Sequence, residues 1–502
     1  MPVNTSNRLS RRNFLKAAAI FSVSASSISC TENVFSAQPK SKSNVLFIAI
    51  DSLWDWVGYM KNYSGAKTPN LDRLAEKGIA FNNAHVAGAS CAPSRTALLT
   101  GFYPWSTGVY EQFQAWPDWL MKAETLTQAF MKTGYYVAGA GLIYHGGDAP
   151  GRNWHDYFDS VPQGNDALAA MPRERRPGLL GNPLDCEDHQ TPDGKRVSWA
   201  INKLEEKHSK PLFLACGIVQ PHPNWNVPRK YFDMHPLDSI ELPKVIENDL
   251  DDVPPLAKKM AHLSLGVKKE NGRIISYYLE DTRYHPKIVE NKNWRKNVQA
   301  VLAAMTFADA QVGKLLDAWY ASPYSNNGII VLWSDHSQHV GQKEHWGTMT
   351  LWEETTHVPF IVVAPGVTKP GSVCNRPVSL VDIYPTLIEL CGLNKNPDLD
   401  GKSLVPLMHN PKAELDRPAV ITSLASSNYA VRSENWRYIR YSDGSEELYD
   451  HQNDPYEWYN LAGKPEYKDS IKKHRRYIPK CRAKEGKFTQ KSFMESLEIF
   501  CR

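Results

Sequence analysis

The run Asn44-Val-Leu-Phe-Ile-Ala-Ile50 constrains the fold more than any other stretch of this sequence. It is short, almost wholly apolar and β-rich, without the alternation of a strand that has one wet face, so it reads as a strand buried on both sides. Asp51 follows at its carboxyl end. The arrangement recurs: Tyr135 to Ala140, Pro211 to Val219 and Gly328 to Trp333 are further strand candidates, and helical patterns fall between them. Thr68-Pro69 offers an N-cap and a first-turn proline, Leu71, Leu74 and Ala75 give helical spacing, Gly78 a stop, and Leu126 to Lys132 a second helix. Strands alternating with helices predict an α/β fold, a large mixed and mainly parallel sheet sandwiched by helices. Ligands of such sheets gather beyond the carboxyl ends of the strands. There this sequence carries Asp51, His145, His222 and the pair Asp335-His336.

With 502 residues, 42% of them hydrophobic, the chain can bury a large core without disulfides. Its 8 cysteines contain no CxxC pair and are too sparse to staple such a fold, although Cys481 and Cys501 remain open as a pair. The net charge is +4, with basic and acidic residues interspersed, which argues against a nucleic-acid partner. Ser10-Arg11-Arg12-Asn13-Phe14-Leu15-Lys16 precedes an apolar run, Ala17 to Ile28, that has no acidic residue. This resembles a twin-arginine signal peptide over residues 1–37, for export to the periplasm or beyond. The run is shorter than the ~20 apolar residues that span a bilayer, and no later stretch reads as a membrane span. Cys30, after Ser27-Ile28-Ser29, leaves a lipid anchor open beside the favoured soluble form.

Segments 150–197 and 225–297 are rich in Pro, Asn and charge and read as loops framing a pocket. From Arg417 the pattern changes to short strands at Ala419 to Thr422 and Trp436 to Tyr441, with a turn at Asp443-Gly444. This predicts a main domain over 44–416 and a small C-terminal α+β subdomain over 417–502.

The chemistry centres on Cys91-Ala92-Pro93-Ser94-Arg95-Thr96-Ala97-Leu98-Leu99-Thr100-Gly101. A cysteine just before a proline and a short helix, with an arginine one turn on, sits in a positive field that favours an anionic substrate. The stretch resembles the Cys-x-Pro-Ser-Arg and Leu-Thr-Gly signature of type I sulfatases of the alkaline phosphatase superfamily. The likeness runs from Asn44 onward and is closest to the iduronate-2-sulfatase group. It continues through Phe307 to Leu316, His357-Val358-Pro359, Leu380 to Gly392, Asp400-Gly401-Lys402-Ser403-Leu404 and Glu447-Leu448-Tyr449-Asp450.

The resemblance implies an alkaline phosphatase-like fold and hydrolysis of a sulfate ester, with Cys91 oxidised to formylglycine by a maturation enzyme. It makes Asp51, Asp335 and His336, with the residue derived from Cys91, the ligands of one divalent cation. Oxygen ligands suit Ca²⁺ first, with Mg²⁺ or Mn²⁺ as alternatives. Arg95 would orient hydrate and sulfate, His222 would protonate the leaving oxygen, and His145 would take the proton that lets sulfate depart. Imidazoles titrate near neutral pH, as both transfers require.

The sequence departs from the family in its anion pocket. The second of the usual paired aspartates is Ser52, and lysines expected near His145, Pro221 and Trp346 are Leu142, Gln220 and Thr348. Ammonium groups lost from a low-dielectric anion site weaken charge stabilisation unless others replace them. Lys343, His339 and His345 lie in one loop and are the candidates. Two other readings therefore fit: a phosphate or phosphonate monoester hydrolase with the same nucleophile, and a sulfated-glycan-binding protein without turnover. The preferred substrate is a sulfated carbohydrate, with Trp225, Tyr277, Tyr278 and Trp352 as candidate stacking surfaces.

Overall fold

In the computed structural model, the residues described are 42–145, 153–158, 181–270, 273–281, 283–415 and 417–501. The signal peptide expected over 1–37, with Cys30, lies outside them. β1 (Val45–Ile50) forms where the sequence places it, with every residue buried. Its side chains alternate between two cores, Val45, Phe47 and Ala49 entering one and Leu46, Ile48 and Ile50 the other. That two-sided burial is why the run shows no polar alternation, and each large side chain contributes ~1.5–3 kcal/mol over exposure.

β1 lies inside an eight-stranded sheet. Its other strands are β2 (Ile79–Phe81), β3 (Tyr136–Gly141), β4 (Asp156–Phe158), β5 (Leu212–Ile218), β6 (Ile329–Ser334), β7 (Phe360–Val363) and β8 (Ser372–Cys374). Their order is β8-β2-β7-β6-β1-β5-β3-β4. From β4 to β6 every neighbouring pair is parallel, while β7 runs antiparallel to both β6 and β2. The expected mixed, mainly parallel sheet is the one observed. Ile50 pairs with Ser334 on one side and Ile218 on the other, so Asp51, Asp335 and the turn after β5 leave the sheet at one edge.

One face is covered by α1 (Pro69–Lys77), α4 (Pro192–Glu205) and α5 (Trp294–Ala321), and the other by α2 (Cys91–Thr100) and α3 (Leu126–Lys132). α1 starts at Pro69 as expected, but Thr68 does not cap it. The Thr68 hydroxyl accepts the N–H of Gly58 at 2.8 Å. Asp309 of α5 takes the cap, accepting from the N–H groups of Asn70 and Leu71 at 3.0 and 2.8 Å.

The two segments read as loops hold more structure than expected. α4 begins inside the first, and the second contains an antiparallel hairpin, Leu263–Glu270 with Arg273–Asp281, between short helices. A register irregularity between Ile274 and Ser276 breaks the two-residue period that marks a strand. The C-terminal part builds a four-stranded antiparallel sheet, β9 (Ala419–Thr422), β10 (Tyr429–Arg432), β11 (Trp436–Arg440) and β12 (Glu446–Asp450), followed by α6 (Lys491–Cys501). Between β12 and α6 the chain returns along residues 105–115, with the N–H groups of Ala483, Gly486 and Ala115 donating to the carbonyls of Trp105, Gly108 and Lys487. No described helix is long and apolar enough to cross a membrane.

Candidate active site

α2 begins at Cys91, so its first-turn N–H groups and Arg95 face the sheet edge from which Asp51 and Asp335-His336 emerge. Cys91, Asp51, Asp335 and His336 are all buried, and their ligating atoms lie within 4.8 Å of one another. Cys91 Sγ is 2.9 Å from His336 Nε2, which lies 3.8 Å from Asp51 Oδ1 and 3.9 Å from Asp335 Oδ2. His336 Nδ1 is 3.0 Å from the carbonyl of Ser337, which fixes the proton there and leaves Nε2 as the lone-pair nitrogen turned to the cluster.

Arg95 holds the two carboxylates from the other side. Its Nε donates to Asp335 Oδ2 at 2.7 Å, its Nη2 is 3.6 Å from Asp51 Oδ2, and its guanidinium carbon lies 5.4 Å from the centre of the Trp333 ring. Nη1 donates to the carbonyl of Leu142 at 2.6 Å, so the position where a lysine was expected serves Arg95 through its backbone. Burial pushes the Asp51 carboxyl up, and the Asp335 charge adds to it. At Asp335 burial pushes the same way, but Arg95, His336 and the Ser52 N–H together outweigh it and hold the group at about 2.

Carboxylate oxygens and an imidazole form a donor set for a hard cation, so the residues present fit one. Glu353, His451 and Glu457 are also close enough to hold a metal. There, however, Arg432 Nε is 3.0 Å from Glu353 and Arg437 Nε is 2.6 Å from Glu457, so guanidinium groups already occupy the acceptors.

Burial, reinforced by Asp51 and Asp335, pushes the Cys91 thiol up to about 11, which suits no thiolate nucleophile at neutral pH. His222, whose Nδ1 is 2.6 Å from the carbonyl of Pro223, has its pKa pulled down by burial, but Asp51 and Cys91 outweigh that and raise it to about 9. For His145, burial and then the Arg95 charge lower it to about 4. The two imidazoles are thus driven apart, His222 upward by Asp51 and Cys91 and His145 downward by burial and Arg95, the order that an acid and a base require.

The replacement cations fail. Lys343, 2% exposed, is 2.6 Å from Asp249 and lies over the rings of Trp352 and Tyr449, so it is an internal ion-pair partner. His345 sits between the carbonyls of Ala261 and Thr348, at 2.8 and 2.9 Å, and His339 between Gln342 and Thr350. Trp225, 1% exposed, donates to the carbonyl of Pro221, and buried Trp352 donates to Glu447, so neither offers a face to a sugar. Tyr277 is half-buried and stacks on Phe113 at 4.6 Å. Gln220 Nε2 donates to the carbonyl of Asn224, and the Thr348 hydroxyl to that of Ala89.

The sequence reading missed one residue, Gln112, and the role of another, Ser52. Ser52, at φ 62°, donates its hydroxyl to Asp51 Oδ1 at 2.9 Å and its N–H to Asp335 Oδ1 at 3.0 Å, orienting both carboxylates. Gln112, 21 positions beyond Cys91 and in no motif, accepts the N–H of Ala92 through Oε1.

Comparison with known proteins bears on the same region. The profile of the sulfatase family matches residues 43–393, and that of the N-sulphoglucosamine sulphohydrolase C-terminal region matches residues 341–484. A sulfatase from Formosa agariphila is 34% identical over 88% of this chain and 87% of its own. An ulvan-active sulfatase of the same organism is 28% identical, covering 89% and 82%, and human iduronate 2-sulfatase is 28% identical, covering 70% of each chain. Among solved structures, a phosphonate monoester hydrolase of Agrobacterium radiobacter superposes with a TM-score of 0.70 at 20% identity, over 87% of this chain and 94% of that one.

Proposed function

The chain belongs to the sulfatase family of sulfuric ester hydrolases, and we propose that it desulfates a sulfated polysaccharide outside the cytoplasm, using formylglycine made from Cys91 and a divalent cation. The observation that carries the reading is the meeting of Cys91 with Asp51, Asp335 and His336 beneath Arg95. Ca²⁺ is the cation that the carboxylate oxygens favour. The ulvan-active and iduronate sulfatases among the relatives support a glycan substrate, and the twin-arginine pattern at Arg11-Arg12 supports export.

The cation, when bound, supplies positive charge to the sulfate oxygens and to the nucleophile's oxygen. The remaining chemistry belongs to the side chains. Arg95 holds the anion and the hydrate of the residue-91 aldehyde in line for attack. The attacking hydroxyl of the hydrate gives its proton to solvent, and as its oxygen bonds to sulfur and the ester S–O bond breaks, His222 gives its own proton to the departing alcohol. His145 then accepts the proton of the remaining hydroxyl; the aldehyde C=O reforms, sulfate leaves, and water rehydrates the aldehyde. The direction of each shift, upward for His222 and downward for His145, suits these roles.

The test uses protein coexpressed with a formylglycine-generating enzyme, loaded with Ca²⁺, and assayed on sulfated polysaccharides, 4-nitrophenyl sulfate and a phenylphosphonate monoester. An aldehyde at residue 91 in the peptide mass spectrum and release of sulfate support the reading. Faster phosphonate cleavage would assign the chain to the other hydrolase class, and glycan binding without turnover would make it a binding protein.

A further inference from the structure

Gln112 is 7% exposed and lies against the first turn of α2, where its Oε1 accepts the N–H of Ala92 at 3.3 Å. A carboxamide that spends its oxygen in this way turns its Nε2 to the opposite side. No acceptor for that nitrogen is found among the described residues. A second donor of the site lacks a hydrogen bond: Nη2 of Arg95 is buried, 3.6 Å from Asp51 Oδ2. A buried unmatched donor such as Arg95 Nη2 is costly in a folded chain, and Gln112 Nε2, which is unpaired yet not sealed from solvent, is a donor that an incoming anion can reach.

The segment that carries Gln112 is held from several directions. Gln114 Oε1 accepts the N–H groups of Tyr110 and Glu111 at 2.7 and 2.9 Å. The returning C-terminal chain pairs with the segment around Gln114, the Thr489 N–H donating to the carbonyl of Phe113 and the Ala115 N–H to that of Lys487. Phe113 itself takes φ 63°, a left-handed backbone that side chains adopt at a cost, and stacks on Tyr277 of the hairpin. The amide is therefore fixed in place before any ligand arrives, as a preorganised donor requires.

Resting on the sulfatase reading above, we propose that Gln112 binds substrate: its Nε2 donates to a sulfate oxygen beside residue 91, and it sets the pocket's preference between anions. Leu142, Gln220 and Thr348 supply no ammonium group, and Lys343 is committed to Asp249. A neutral amide offers a hydrogen bond without adding charge. A sulfate ester carries one negative charge and a phosphate monoester two at neutral pH, so a pocket that exchanges cations for an amide favours the sulfate ester.

The experiment compares the full-length, metal-loaded protein with Gln112→Glu and Gln112→Lys, with the aldehyde content of each checked by peptide mass spectrometry. Glu keeps an oxygen for the Ala92 N–H but replaces the donor by a carboxylate. Expected for Gln112→Glu is an unchanged Tm, loss of inorganic sulfate binding by calorimetry, and a fall in kcat/KM on 4-nitrophenyl sulfate of about 100-fold, the scale of one lost oxyanion donor. Gln112→Lys should shift the rate ratio toward 4-nitrophenyl phosphate, a readout independent of how much protein is folded. Wild-type rates and sulfate binding in Gln112→Glu, or an unmoved ratio in Gln112→Lys, overturn the assignment of Gln112 alone. A wild-type protein that neither binds sulfate nor cleaves any sulfate ester overturns the sulfatase reading beneath it.

Discussion

Replacing Lys343 by Met separates an internal ion pair from a sulfate ligand. The ammonium group is 2.6 Å from Asp249, donates also to the carbonyl of Glu457, and both side chains are almost fully buried. Removing one partner of such a pair leaves an uncompensated buried charge, at a cost of about 3–5 kcal/mol. Burial raises the Asp249 carboxyl even with Lys343 beside it, so part of that cost is recovered when Asp249 takes up a proton. For a chain of this length the loss corresponds to a fall in Tm of roughly 3–5 °C, since unfolding entropy scales with residue number. Lys343→Met/Asp249→Leu should recover most of it, because desolvation opposes the pair. The assay is thermal unfolding of the single and double variants, alongside kcat/KM on a sulfate ester per folded molecule. The expected result is a lowered Tm with kcat/KM unchanged. An unchanged Tm with a large loss of kcat/KM would refute the argument and return Lys343 to the anion pocket.

Glu111 titrates in the opposite sense from a surface carboxylate: burial lifts it from 4.5 to about 8, against the hydrogen bond from the Ala425 N–H. A raised folded pKa contributes stability that is complete below the unfolded value and lost as pH rises through the folded one. Glu111→Gln should therefore gain Tm relative to wild type between pH 4.5 and 8 and hold that gain above it; parallel melting curves across this range would contradict the claim. Ser52→Ala removes the hydroxyl that orients Asp51 and should weaken Ca²⁺ binding by about 10–100-fold, measured by calorimetry. His222→Ala should slow an alkyl sulfate far more than 4-nitrophenyl sulfate, whose leaving group needs no proton, and equal losses on both would deny His222 the acid role.

The sequence made legible whatever depends on neighbours along the chain. Two-faced burial wrote β1, β5 and β6 as apolar runs, and the Cys91 to Gly101 stretch carries its chemistry within one helix. What depends on distant neighbours stayed hidden. The cap of α1 comes from Asp309, 238 positions beyond Leu71, and the partner of Lys343 lies 94 positions before it. Nothing local distinguishes a lysine in an anion pocket from one buried against an aspartate. Trp225 has the same ambiguity, since an indole packs in a core as readily as on a sugar. The hairpin was hidden differently, its irregularity at Ile274 to Ser276 erasing the strand period, although Asn271-Gly272 between its strands is a turn signal that the reading passed over.

In the proposed mechanism one cation and the side chain of residue 91 share a single anion site at the sheet edge. Crystals of the matured protein grown with Mn²⁺ in place of Ca²⁺ test this through anomalous scattering. The expected result is one peak within coordination distance of Asp51, Asp335, His336 and the oxygen of residue 91. A peak at Glu353 and Glu457 instead, or none near residue 91 in protein that still cleaves sulfate esters, would contradict it.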